Sequence, residues 1–111
     1  MPPLAVLRLP DDGPLLTDAD ANDLIGSAWG AQADVVAVPV ARLDPAFFEL
    51  ASGVAGELTQ KFVNYHLVLA VVGDVRAHEE RSSAFAAWVV ESNRGRHVWF
   101  VVDDDALTAR L

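Results

Sequence analysis

Four unlike polar side chains fall on one helical line. Glu57, Gln60, Lys61 and Asn64 stand at i, i+3, i+4 and i+7, so a helix through them presents all four on one face. Such a set could serve a polar ligand. A carboxylate moves a proton, while an ammonium and two carboxamides orient the substrate. Lys61 is the only lysine in the chain. Gly53 and Gly56 lie near the same line and would let a backbone, a helix or a ligand come close. A glycine inside a helix costs about 1 kcal/mol relative to alanine, which favours a reason for keeping two. The plainer reading is a solvated face with one Glu57–Lys61 pair worth about 0.2–0.5 kcal/mol.

Further polar residues join this set. Asp74 follows Gly73 at the end of an apolar run, where ligands collect in open parallel sheets. A turn aspartate is the plainer alternative there. Glu91 and Asn93 sit near a helix C-terminus beside Arg94 and Arg96. An acid at that end opposes the helix dipole, so Glu91 needs a cationic partner: Arg94, Arg96 or Lys61. Ser52 stands where it can cap the helix that starts at Gly53.

Other chemistries lack their residues. The chain has no cysteine, which removes disulfides, thiolate metal sites and thiol nucleophiles. It has no G-x-S-x-G elbow, no Walker A loop and no G-x-G-x-x-G. His66, His78 and His97 have no metal-ligand spacing on a helix. Asp103-Asp104-Asp105 reads as a helix-capping run before it reads as a cation site. We expect no metal and no cofactor.

These residues must be positioned by one domain of 111 residues, long enough to bury one core. Hydrophobic residues make up 52% and the formal charge is −8. Residues 1–60 carry nine acids against Arg8 and Arg42. That balance disfavours nucleic acid and anionic membranes as partners. Met1-Pro2-Pro3-Leu4 has no basic n-region, and no apolar run spans a bilayer, so a cytoplasmic location is expected.

The apolar pattern alternates between two periods. Leu4–Leu9 reads as a strand, Pro10-Asp11-Asp12-Gly13-Pro14 as a turn, and Leu15-Leu16 as a short returning strand. Thr17 opens a helix with Asp20 completing a capping box; Ala21, Leu24, Ile25 and Ala28 are its apolar face and Gly30 ends it. Val35–Val40 is a nearly continuous β-branched strand with Pro39 near its end. Asp44-Pro45 starts a short helical piece carrying Phe47, Phe48 and Leu50. A longer helix runs from Ser52-Gly53 to about Tyr65, with Val54, Ala55, Leu58, Phe62 and Tyr65 as one broad apolar stripe. Leu67–Val72 is a central strand, and Val75–Arg81 a charged connection with His78 in a loop. Ser82 or Ser83 caps a third helix that buries Phe85, Trp88 and Val89 and closes at Asn93-Arg94-Gly95. His97–Val102 is the last strand, and Asp103 caps a terminal helix. The order ββαβαβαβα implies an α/β fold: a mostly parallel sheet of four to five strands, an N-terminal hairpin and flanking helices. Trp99 alternates with Phe100, so an edge position for the last strand would turn one aromatic outward and favour a homodimer.

Five stretches together resemble the bacterial domain-of-unknown-function family numbered 4180. They are Phe47-Phe48-Glu49-Leu50, Gly53-Val54-Ala55-Gly56-Glu57, Gln60–Tyr65, Leu69–Asp74 and Glu91-Ser92-Asn93-Arg94-Gly95. The resemblance spans roughly residues 4–107 and implies no particular reaction. Two steps depart from that family's pattern, Ala51-Ser52-Gly53 and Val75-Arg76-Ala77-His78. A second resemblance is architectural. A hairpin, helix and strand followed by Ser-Gly at the next helix start look like the STAS domains of anti-sigma-factor antagonists. By that likeness Ser52 would be a phosphorylated switch; its simpler role is a cap.

Two functions follow as expectations. The first is a STAS-like binding or regulatory module. It would recognise a protein partner or small ligand through the 52–64 helix face and the Asp74 tip, with Glu91, Asn93 and Arg94 nearby. The second is a small enzyme on a polar small molecule, with Glu57 or Asp74 as acid/base and Gln60, Lys61 and Asn64 orienting the substrate.

Overall fold

The computed structural model describes residues 3–111. Met1 and Pro2, which open the segment read above for an export signal, lie outside the described residues. Four strands form one parallel sheet: β1 (Val6–Arg8), β2 (Val35–Pro39), β3 (Val68–Val72) and β4 (Val98–Val101). They lie side by side in chain order. Among the described residues five α-helices accompany them: α1 (Ala21–Gly30), α2 (Val54–Asn64), α3 (Arg76–Arg81), α4 (Ser83–Asn93) and α5 (Asp104–Thr108).

Chain order decides where the helices go. Every crossover steps the same way across the sheet, and right-handed crossovers then place every connecting helix on one face. The core divides accordingly. Val36, Val38, Leu69, Val71, Val98 and Phe100 pack with residues of α1, α2 and α4. Val35, Ala37, Ala70, Trp99 and Val101 form a smaller second core with Leu107 of α5. The strand order never reverses, so this sheet has no switch-point crevice of the kind that binds ligands in doubly wound folds.

Local chemistry explains most element ends. Thr17 and Asp20 form the expected capping box, around a 3₁₀ turn (Asp18–Asp20) that leads into α1. Asp44 Oδ1 accepts from the Ala46 N–H at 3.0 Å and Ser82 Oγ from the Phe85 N–H at 3.1 Å. Asp103 Oδ1 accepts from the Ala106 N–H at 2.9 Å. Helices α1 and α2 end where expected, at Gly30 and Asn64, but no glycine takes the left-handed position after either. The left-handed position after α1 is Gln32 (φ 53°), not Gly30, and after α2 it is His66 (φ 58°). Each sits in a Schellman arrangement: Ala33 N–H donates to Ala28 C=O at 2.8 Å, and Leu67 N–H to Phe62 C=O at 2.9 Å. Burial of Ala33 and Leu67 fixes both chain reversals.

Three further expectations are corrected. Leu15-Leu16 does not return as a strand beside β1. Leu16 instead makes a single parallel bridge to Leu43, beyond β2, so the described residues form no N-terminal hairpin, one of the features that suggested a STAS domain. Buried Arg42 holds the intervening turn. Its guanidinium donates to the carbonyls of Pro10, Asp12 and Pro14 at 2.9–3.1 Å. The connection after Asp74 is not irregular: Arg76–Arg81 is a short helix that carries His78. Trp99 and Phe100 do not face outward, being 6% and 8% exposed. Trp99 Nε1 donates to Gly95 C=O at 3.1 Å, and the Arg110 guanidinium lies 4.7 Å from its ring centre.

Candidate functional site

The residues singled out in the sequence occupy three separate places. On α2, Ala55, Leu58 and Phe62 turn into the core, which leaves Gly56, Glu57, Gln60 and Asn64 in solvent. Gln60 donates its carboxamide N–H to Asn64 Oδ1 at 3.0 Å. Tyr65 does not join the buried stripe as expected: it is exposed beside half-buried Lys61, and its ring meets Trp29 of α1 at 5.7 Å. Among the described residues no ion pair joins Glu57 to Lys61. A Cβ on Gly56 would meet nothing within 4 Å, so no packing contact requires glycine there.

The second place is the carboxyl edge of the sheet. Ser52 donates its hydroxyl to Ala46 C=O at 2.6 Å and accepts from the Val54 N–H at 3.2 Å, so it meets the first N–H of α2 from one residue before the N-cap, which is Gly53 and not Ser52. Gly53 takes φ 84°, a conformation that joins the 3₁₀ turn Leu50–Ser52 to α2 at little cost only for glycine. Asp74 is clasped by Arg76, with Nη2–Oδ2 at 2.8 Å and Nε–Oδ1 at 3.1 Å. The Arg76 backbone N–H also donates to Asp74 Oδ1 at 2.9 Å. The side-chain bonds first, and the backbone bond second, hold this carboxyl down at about 2. A general base near neutrality needs a much higher value.

The third place is the end of α4. Asn93 uses its carboxamide on the Phe100 backbone, accepting from the N–H at 2.7 Å and donating to the C=O at 3.2 Å. Glu91 finds only a weak partner, Arg94 at 4.0 Å, with both side chains largely in water. The four main grooves of the described residues are not lined by Glu57, Gln60, Lys61 or Asn64. Nor does any one of them bring Asp74 and Glu91 together.

The largest of these four grooves has other walls. A groove of about 640 Å³ runs between the 45–51 segment and the junction of α3 with α4. Phe48 forms its floor, and the His78 ring lies flat on Phe48 with centroids 3.8 Å apart and planes within 4°. Arg81 Nη2 stands 3.3 Å from His78 Nδ1. A guanidinium can only donate, so Nδ1 accepts and the ring proton sits on Nε2. Burial first, then the Arg81 charge, pushes the imidazole below its ordinary value. Glu49 and Ser82 add polar edges; Pro45, Leu50, Ala51 and Ala84 are apolar. A second groove of about 430 Å³ lies on the other side of α3, lined by Asp74, Arg76, Glu79 and Val102.

His78, Arg81, Glu49 and the ring of Phe48 are the residues that sequence reasoning did not assemble. A six-residue helix is too short to display a period, so His78 and Arg81 at i, i+3 gave no visible stripe. Phe48 read simply as a core anchor.

Comparison with known families gives one match. The model of the family described as "Domain of unknown function (DUF4180)" covers residues 3–111. No curated protein and no solved structure matches the chain.

Proposed function

We propose that this chain, which belongs to the DUF4180 family, is a binding module that captures a small ligand in the Phe48–His78 groove. The observation that carries the reading is the groove itself. Its size suits a small molecule, and its wall is apolar with a few convergent polar groups. Asp74 contributes to the edge of the neighbouring groove as one half of an ion pair rather than as a proton donor or acceptor. A regulatory role and a cytoplasmic location go with this reading. Among the described residues no helix is long and apolar enough to cross a membrane.

A second surface is kept by one observation. Gly56 lies bare on the outward face of α2 beside Glu57, Gln60 and Asn64, and a closely approaching protein partner would give that glycine a reason. In this reading the two surfaces are separate: a ligand groove at the carboxyl edge and a protein-facing helix.

The test plugs the groove. Ala51 is exposed and lines it, so Ala51→Trp fills the space without touching the core. A panel of small carboxylates, amines and neutral amides is screened by thermal shift. The reading expects stabilisation of the wild type by one class, lost in Ala51→Trp and retained when Glu57 and Lys61 are both changed to alanine. A shift that survives the plug and vanishes in the α2 variant contradicts it.

A further inference from the structure

We propose that the His78–Arg81 end of the groove anchors an oxyanion, and that the groove takes a small monocarboxylate with an apolar body. This rests on the groove reading above and adds the chemistry of the ligand.

The first support is an unspent cation. The chain holds sixteen acids against eight Lys and Arg. Ion pairs among the described residues use Arg8, Arg76 and Arg94, and Arg42 is committed to three carbonyls. Among those residues Arg81 has no carboxylate within ion-pair reach. Its own contacts are long, 3.4 Å to Ala77 C=O and 3.3 Å to His78 Nδ1. A guanidinium has five N–H donors, so most of its capacity faces the groove or water. A carboxylate is the partner that fits its planar fork.

The second support is the histidine beside it. His78 is held neutral with Nδ1 turned to Arg81. An arriving anion reverses that preference, because a negative charge favours the imidazolium. Arg81 from α3 is the charge that acts on the ring; Glu49 of the 45–51 segment lines the same groove, and α4 contributes only uncharged Ala84 and Phe85. Glu49 and the net charge of the chain disfavour a dianion such as phosphate more than a singly charged carboxylate. The apolar walls, Pro45, Leu50, Ala51 and Ala84, are left for the body of the ligand.

Benzoate is the probe, with benzamide as its neutral isostere and phenyl phosphate as the dianion. Binding is followed by amide and histidine NMR shifts of the full chain. Benzoate is expected to move Ala51, His78, Arg81 and Ala84, and to bind more tightly as pH falls from about 7.5 to about 5.5. It should raise the His78 titration midpoint. Arg81→Gln, at an exposed position, is expected to weaken benzoate about tenfold. His78→Phe preserves the stack on Phe48 and should remove the pH dependence. Equal binding of benzamide, or tighter binding of phenyl phosphate, overturns the monocarboxylate proposal while leaving the groove reading intact. No probe moving any groove residue overturns both.

Discussion

The side chain of Asn93 takes the place of a fifth strand at Phe100. Its carboxamide accepts from the Phe100 N–H and donates to the Phe100 C=O, the pair of backbone groups that β4 would otherwise turn outward. Edge strands with free amide pairs invite another chain to add on. Here one residue at the end of α4 covers the edge at Phe100, and Arg110 in turn donates to the Asn93 C=O at 2.9 Å. Asn93→Ala leaves both Phe100 groups without their partner. It is expected to cost about 1–3 kcal/mol in urea unfolding and to promote association at high concentration. Asn93→Asp keeps the acceptor and loses the donor, so it should fall between the two.

The two glycines at the start of α2 should respond in opposite directions. Gly56 is exposed and has open space where a Cβ would go, so Gly56→Ala is expected to stabilise by about 0.5–1 kcal/mol. Gly53 has the same open space but φ 84°, so Gly53→Ala is expected to destabilise by about 1–2 kcal/mol. Denaturant midpoints of the two variants check both signs. If a protein partner is found, Gly56→Ala should weaken its binding despite the gain in stability.

Arg42 should be sensitive even to a charge-conserving change. Its flat fork reaches three carbonyls, and it lies so close to Gly13 that an added Cβ would stand 2.6 Å from its Cζ. Arg42→Met is expected to cost about 2–4 kcal/mol, and Arg42→Lys to recover little, because a single ammonium cannot span the three acceptors. Thermal unfolding measures both.

Stability should depend on pH in two separate windows. The folded value of His78 is lowered, so its contribution is complete above the unfolded value near 6.5 and is lost as pH falls through the folded one. Asp74 is lowered from 3.8 to about 2, so its contribution is present above 3.8 and is lost as pH falls toward 2. His78→Phe should flatten the upper window, and Asp74→Asn the lower one, in urea midpoints measured across the acid range.

The parallel α/β core was legible because its signals are strong and local. Val35–Val38 and Leu69–Val71 are continuous apolar runs, and Thr17, Asp44, Ser82 and Asp103 cap where their side chains predict. The hairpin was misread because Leu16 does pair, but with Leu43 across a turn held by Arg42. Periodicity cannot report a single long-range bridge. The α2 stripe of Glu57, Gln60, Lys61 and Asn64 was correctly placed on a helix, yet a shared face is not a pocket, and three of the four stand in water. The groove escaped notice because its parts come from the 45–51 segment, a six-residue helix and the next cap. They meet only through tertiary packing of Phe48 against His78 and Phe85.

The proposed entry of small ligands is at Phe48–His78 and not along α2. An amide NMR shift map of the wild-type chain, taken with the ligand class that stabilises it most, addresses this directly. Shifts are expected to concentrate at residues 48–51 and 78–84, with those at 57–64 unmoved. Shifts confined to 57–64, with His78 and Arg81 silent, would contradict it.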